Sequence, residues 1–295
     1  MAAILMDTSL LHKLERLAIH WQKSLPGLVG GHNTSRFAGA GQEFLDHRHF
    51  HQGDDLRAVN WRAYIRLDKM FLKMFQLEPR VPVRILVDIS KSMNTGSGPQ
   101  SKFDYARKLA GALIYVGLVR LDSLCLQPFG ENLGDPLKIS GGRQRFQPAL
   151  NYLSSLTPRG NTSFFQIARD FISRYPQRGL TVIISDFLDD ADAEKPLQYI
   201  ADFGHEMILI QVWAPEDREP PWQGEMDLED AETGNRVQLA FDDNARANYT
   251  QAFDDYAAHL RNVALRNGGR YVGLATDIPV EDALFGPLVR AGAIE

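Results

Sequence analysis

Asp88-Ile89-Ser90-Lys91-Ser92 follows directly on the aliphatic run Arg84-Ile85-Leu86-Val87 and sets one carboxylate and two hydroxyls at alternate positions. On the turn after a strand, such side chains can converge on one point above the strand end. An all-oxygen donor set suits a hard divalent cation, Mg²⁺ above all, which demands octahedral geometry and keeps some of its waters. Two further polar residues fall where separate loops would reach the same edge. Thr162, in Arg159-Gly160-Asn161-Thr162-Ser163, begins an expected helix, and Asp186 directly follows Thr181-Val182-Ile183-Ile184-Ser185. Three loops would then supply Asp88, Ser90, Ser92, Thr162 and Asp186. Their separation matters, because an isolated Asp-x-Ser-x-Ser arises often by chance. Without a metal, the hydroxyls could cap turns and helices and Asp186 could form an Asx-turn. Capping, however, does not require these residues to meet on one sheet edge.

The elements that would position these loops are legible from Val83 onward, where short aliphatic runs alternate with helical segments. Strands are expected at 83–87, 124–129, 180–185 and 206–213, and helices at 102–121, 146–156, 163–175 and 193–203. This order predicts an α/β fold, a doubly wound, mainly parallel sheet covered on both faces, with room for an antiparallel edge strand. In such sheets ligands bind beyond the carboxyl ends of the strands. An acidic hairpin insertion is expected near 225–242, turning at Glu232-Thr233-Gly234-Asn235, then a helix over 243–267 and a strand over 270–274. Upstream, Leu10, Leu11, Leu14, Leu17, Ala18, Trp21 and Leu25 lie at helical spacing between Ser9 and Pro26-Gly27, which predicts an amphipathic helix over 9–25. Glycines punctuate residues 27–82, which read as short strands and turns. The expected division is 1–82 for the helix and β-rich region, 83–277 for the α/β domain and 278–295 for a C-terminal tail.

Composition sets outer bounds. With 295 residues, 44% of them hydrophobic, the chain can bury a sizeable core. A net charge of -5 and scattered basic residues leave no electrostatic footprint for nucleic acid. Residues 215–260 carry twelve Asp or Glu against three Arg, either a solvated face or a surface for a basic partner. The only cysteine, Cys125, excludes an intramolecular disulfide and reads as a small buried hydrophobe. No signal-peptide pattern opens the sequence, and no run of about 18 apolar residues offers a membrane span, so a soluble cytoplasmic protein is expected.

Asp-x-Ser-x-Ser after a first strand, Thr at a helix start and Asp after a later strand resemble the complete metal-ion-dependent adhesion site (MIDAS) of von Willebrand factor A domains. The resemblance implies that Asp88, Ser90, Ser92, Thr162 and Asp186 hold Mg²⁺ or Mn²⁺. In that family the hydroxyls coordinate directly or nearly so, the aspartates often act through water, and a partner's carboxylate takes the open position. A second resemblance precedes it: Gly39-Ala40-Gly41-Gln42-Glu43-Phe44, Arg48, Phe50, Gly53-Asp54-Asp55-Leu56-Arg57 and Asn60-Trp61-Arg62 are similar to the signature of the bacterial family called domain of unknown function 58. There the segment precedes a von Willebrand A-like domain. Phe50 stands where that family usually has Tyr, and Asn60 where it usually has Asp. Gly53, Asp54, Asp55, Arg57 and Trp61 are read first as structural, a carboxylate–guanidinium pair fixing a turn with Trp61 packed beneath it, and second as partner-binding.

Other constellations are weaker. His47, His49 and His51 alternate but have no evident further ligand. Asp88 lacks the second acid of an Asp-x-Asp phosphotransferase, and neither a Walker-type phosphate loop nor a Gly-x-Ser-x-Gly elbow occurs. The expectation is a metal-dependent protein-binding adaptor rather than an enzyme. Family resemblance implies a partner: a MoxR-type AAA+ ATPase, or its client, with the contact made through a carboxylate. The alternatives are a metal-assisted hydrolase or phosphatase, in which Asp88 or Asp186 works with the cation, and a metal-free scaffold.

Overall fold

Aliphatic runs long enough to be buried on both faces build the centre of the molecule. The computed structural model describes residues 8–19, 43–51, 56, 59–76, 82–96, 100–120, 123–188, 193–229 and 236–294. The chain divides into two units, residues 1–21 with 81–295, and residues 22–80.

In the larger unit, six strands form one sheet: β3 (Pro82–Asp88), β4 (Ser123–Phe129), β5 (Leu137–Ile139), β6 (Leu180–Ser185), β7 (Glu206–Trp213) and β10 (Arg270–Ala275). Their order is β10-β7-β6-β3-β4-β5, parallel throughout except for the short edge pair β4–β5. This is the doubly wound α/β arrangement expected from the alternation of elements. Alternate residues of each strand enter two separate cores. Ile85, Val87, Val182, Ile184, Ile208 and Ile210 face α1 (Thr8–Leu14), α3 (Lys102–Val119) and α4 (Phe146–Ser155). Leu86, Ile183, Met207 and Leu209 face α5 (Phe164–Arg174), α6 (Glu194–Asp202) and α8 (Asp243–Arg266).

Helix α3 is apolar almost all round, and fifteen of its eighteen residues are buried, the pattern of a central helix rather than a surface one. The Ser101 hydroxyl caps its start, accepting from the Asp104 N–H at 3.1 Å. Near its end Gly117 brings the helix backbone close to β4, since a Cβ there would lie 2.7 Å from Leu124 Cδ2. Between β7 and α8, a single helical turn α7 (Pro215–Arg218) leads into the antiparallel pair β8 (Gly224–Glu229) and β9 (Arg236–Phe241), the expected hairpin. Its turn, Glu232 to Asn235, lies outside the described residues.

Both ends of this unit depart from the sequence reading. Helix α1 stops at Leu14, not residue 25, because Leu14 and Leu17 are drawn into the core and Ile19 pairs in antiparallel fashion with Ile294. Residues 278–294, expected as a tail, are packed: α9 (Val280–Ala283) runs into a π turn at Leu284–Leu288, and Leu284, Leu288, Ala293 and Ile294 are buried. Pro287 lies within that turn and has no N–H for a regular helical bond.

In the smaller unit, β1 (Glu43–His49) pairs antiparallel with β2 (Phe71–Gln76), with a register shift between Phe44 and Asp46. Helix α2 (Trp61–Leu67) starts at Asn60, whose side chain accepts from the Ala63 N–H at 3.3 Å. Gly53, Asp54, Asp55 and Arg57, with the turn-fixing pair expected of them, lie outside the described residues. Trp61 is described. It opens a helix that has no buried residue, is 53% exposed, and sets its ring edge-on against Tyr64 at 6.1 Å.

Candidate metal centre

Strand order reverses between β3 and β6. The chain leaves β3 toward β4 on one side and returns through β6 on the other, so a crevice opens beyond the carboxyl ends of these two neighbours. Asp88 is the last residue of β3, and Asp186 is the first after β6. Asp88 is fully buried and accepts hydrogen bonds from the Ser90 N–H at 2.8 Å and from the Ser185 hydroxyl at 2.5 Å. The Thr162 hydroxyl reaches both of its oxygens, at 3.3 and 3.4 Å. Ser90 Oγ and Ser92 Oγ share a hydrogen bond of 2.9 Å.

Backbone bonds between loops explain how Thr162 arrives there. The Ile89 N–H donates to the Phe129 carbonyl, the Arg159 N–H to the Ile89 carbonyl and the Lys91 N–H to the Gly160 carbonyl, stitching loop 89–92 to loop 159–163. Gly160 sits at φ +69°, where a side chain would be strained. Ser163, not Thr162, occupies the cap position of α5 and makes no side-chain capping bond, so the Thr162 hydroxyl is directed at Asp88 instead.

Asp186 makes the expected Asx-type contact, accepting from the Leu188 N–H at 3.2 Å. Its other oxygen accepts from Lys102 Nζ at 2.8 Å. Lys102, 1% exposed at the first position of α3, also reaches Asp217 Oδ2 at 3.1 Å. Asp217, in α7, is held in turn by the Ala214 N–H at 2.9 Å. Lys102, Asp217 and Ser185 were absent from the sequence reading. Ser185 and Asp217 do carry a signal, since Ser185 ends one parallel strand and Asp217 lies in the turn of helix that follows another. Lys102 carries none.

Burial pushes the Asp88 carboxyl up to about 7, and the neighbouring charge of Asp186 adds to the rise, while the bonds from Ser185 and Ser90 oppose it. Burial works against the charged form of Lys102, but Asp186 and Asp217 outweigh it and raise its pKa above the ordinary lysine value. With every group ionised, Asp186 and Asp217 meet the Lys102 ammonium and Asp88 stands beside Asp186, so three carboxylates and one ammonium leave two negative charges. That balance, with hydroxyl oxygens beside it, fits a small divalent cation. Among the described residues no group of three His, Cys, Asp or Glu could hold a metal, so the donors beyond two carboxylates would have to be hydroxyls and water. His47 and His49 lie on β1, and the His49 ring packs 4.7 Å from that of Phe71.

The sheet order and its flanking helices define a doubly wound α/β domain with a buried, oxygen-rich site at its switch point. The chain belongs to the family described as protein of unknown function DUF58, which matches residues 46–259. Rv1480, an uncharacterized protein of Mycobacterium tuberculosis, is 27% identical over 277 residues, covering 92% of this chain and 86% of the relative. The uncharacterized Mycobacterium avium protein MAV169 is 36% identical over 101 residues, 34% of this chain and 59% of that one. Among solved structures, the conserved hypothetical protein BatB from Bacteroides thetaiotaomicron is similar at 20% identity and a TM-score of 0.44, over 72% of this chain and 98% of that one. The SpRpn10 VWA domain is similar at 16% identity and a TM-score of 0.41, over 69% and 93%. No helix among the described residues is long and apolar enough to cross a membrane.

Proposed function

We propose that this chain is a protein-binding adaptor whose contact is made at the β3–β6 crevice and depends on a divalent cation, Mg²⁺ or Mn²⁺. The carrying observation is the burial of Asp88 beside Asp186 with Thr162 on both of its oxygens, a concentration of negative charge that Lys102 offsets only in part. When bound, the cation would offer one open position to an Asp or Glu carboxylate of the partner. Asp88 and Asp186 would supply the charge, and Ser90, Ser92 and Thr162 the neutral oxygens. The Ser185 hydroxyl and the Ser90 N–H would hold the Asp88 carboxylate in place. A water-activating role has less support, because the side chains touching Asp88 are hydroxyls rather than a general base. The partner we propose is a MoxR-type AAA+ ATPase or its client, and what supports it is the family resemblance alone.

Titration calorimetry of metal-stripped protein with Mg²⁺ and Mn²⁺ tests the site. One saturable site is expected, lost in folded Asp88→Ala and Thr162→Ala variants, with capture of the ATPase abolished by EDTA. A second reading has one observation in its favour: Lys102 Nζ already occupies one oxygen of Asp186. On that reading the protein is a metal-free scaffold, the wild type binds no cation, and Lys102→Met creates a site where none existed.

A further inference from the structure

At the opposite edge of the sheet lies a cavity of about 530 Å³ bordered by Pro82 and Ser123, the amino ends of β3 and β4. Arg84, Lys138 and Arg174 line it, and among the described residues no Asp or Glu does. Arg84 is 4% exposed. Its guanidinium stacks over Tyr175, 4.9 Å from the ring centroid, and lies 5.9 Å from that of Phe171. Nη2 donates to the Gln177 carbonyl at 3.0 Å, and Nη1 lies 3.5 Å from His205 Nδ1. His205 Nε2 is 3.2 Å from the Tyr175 carbonyl and so carries the proton, which leaves Nδ1 as an acceptor toward Arg84.

These partners are all neutral. Among the described residues Arg84 forms no ion pair. The other buried arginine at this edge behaves differently: Arg270 Nη1 meets Glu206 Oε1 at 2.5 Å, with both side chains buried. A guanidinium does not shed its proton in a protein, and a buried charge without a counter-charge is costly. Arg84 is therefore a fixed positive charge facing a cavity whose other charged side chains, among the described residues, have the same sign. Burial draws its pKa down, which marks how poorly the charge is compensated. Leu124, Pro136 and Pro176 give the rest of the wall an apolar character.

We propose that this cavity binds a small organic anion, its carboxylate or phosphate group meeting Arg84 and its body lying along the apolar wall. Nothing in the cation reading of the opposite edge bears on this site, and neither depends on the other. Phenyl phosphate and benzoate are suitable probes, with benzyl alcohol as the uncharged control, each titrated calorimetrically into the full chain. Saturable binding of at least one anion is expected, with none of the alcohol. The affinity should fall at least tenfold in Lys138→Glu and in Arg174→Glu. Both residues are exposed, so these variants test the site even if Arg84→Gln fails to fold. Asp88→Ala should bind the anion as the wild type does. Absence of binding for both anions, equal binding of the alcohol, or an affinity that survives both charge reversals would overturn the proposal and leave Arg84 as a structural cation held by its aromatic neighbours.

Discussion

The two edges of one sheet are built with opposite charge. At the carboxyl edge, Asp186 and Asp217 meet Lys102, Asp88 lies beside Asp186, and hydroxyls and backbone N–H groups bond to Asp88. At the amino edge, Arg84 faces a cavity with Lys138 and Arg174 and meets no acid among the described residues, while Arg270 is paired with Glu206. Arg84 and Asp88 belong to the same strand and stand only about 13 Å apart along it, by the rise of an extended chain. The contrast follows from parallel topology: the parallel strands collect their last residues at one edge and their first at the other, with mostly apolar side chains between. The sign of each edge is then decided by a handful of strand-end residues. The difference between the edges lies in how complete their pairing is.

The largest effect is expected at the buried Arg270–Glu206 pair. Arg270→Met strands a buried Glu206 carboxylate and should cost about 3–5 kcal/mol in denaturant unfolding, much of it recovered by adding Glu206→Leu. A loss below about 1 kcal/mol would show that the pair contributes little and would erase the distinction from Arg84. Lys102→Met should come next, at about 2–4 kcal/mol in EDTA, because Asp186 is buried but Asp217 is partly solvated. Mg²⁺ should restore more stability to that variant than to the wild type, a difference read directly as Tm with and without the ion.

A third expectation concerns pH. Asp88 is raised in the folded state, to about 7. The folded protein then holds a proton that the unfolded chain releases, so this group favours folding at low pH, and the advantage is lost as pH rises through about 7. In EDTA, unfolding free energy should decline between pH 5 and 7 by up to about 1.4 kcal/mol per unit, and Asp88→Asn should flatten the decline. Cation affinity should move the other way, weakening about tenfold for each unit below pH 7, as calorimetry at pH 6 and 8 would show. The smallest effect is expected away from both edges: Trp61→Ala, at an exposed position, should change stability by less than about 0.5 kcal/mol.

The sheet was legible because its strands are buried on both faces, so Val182 to Ile184 and Met207 to Ile210 read as unbroken apolar runs bounded by polar residues. Asp88, Ser90, Ser92, Thr162 and Asp186 could be placed on one edge because each follows a strand or opens a helix. Lys102 could not. It reads as an ordinary first residue of a helix, and its bond to Asp186 spans 84 positions of sequence that no local pattern connects. Asp217 was read as one member of an acidic run, although its carboxylate is tied to Lys102 and the Ala214 N–H. At the chain ends, helical spacing continued past Leu14, but tertiary packing overrode it when Ile19 found a strand-like partner in Ile294. The cavity beside Arg84 left no trace either, because a lone arginine inside a strand says nothing of whether an acid will face it.

Helix α3 gives the carboxyl edge a fixed anchor. Embedded on nearly every side and seated against Leu124 at Gly117, it cannot slide or rotate without prising open the core that surrounds it. The ammonium at its first turn is in this sense a nail rather than a hinge. Asp217, by contrast, rides on a single helical turn with a quarter of its side chain in solvent. If the crevice changes shape when a ligand arrives, the travelling part has to be the 214–219 segment, which leads through the chain into the acidic hairpin. Motion at the site would then be delivered to that hairpin, while the sheet and its central helix stay still.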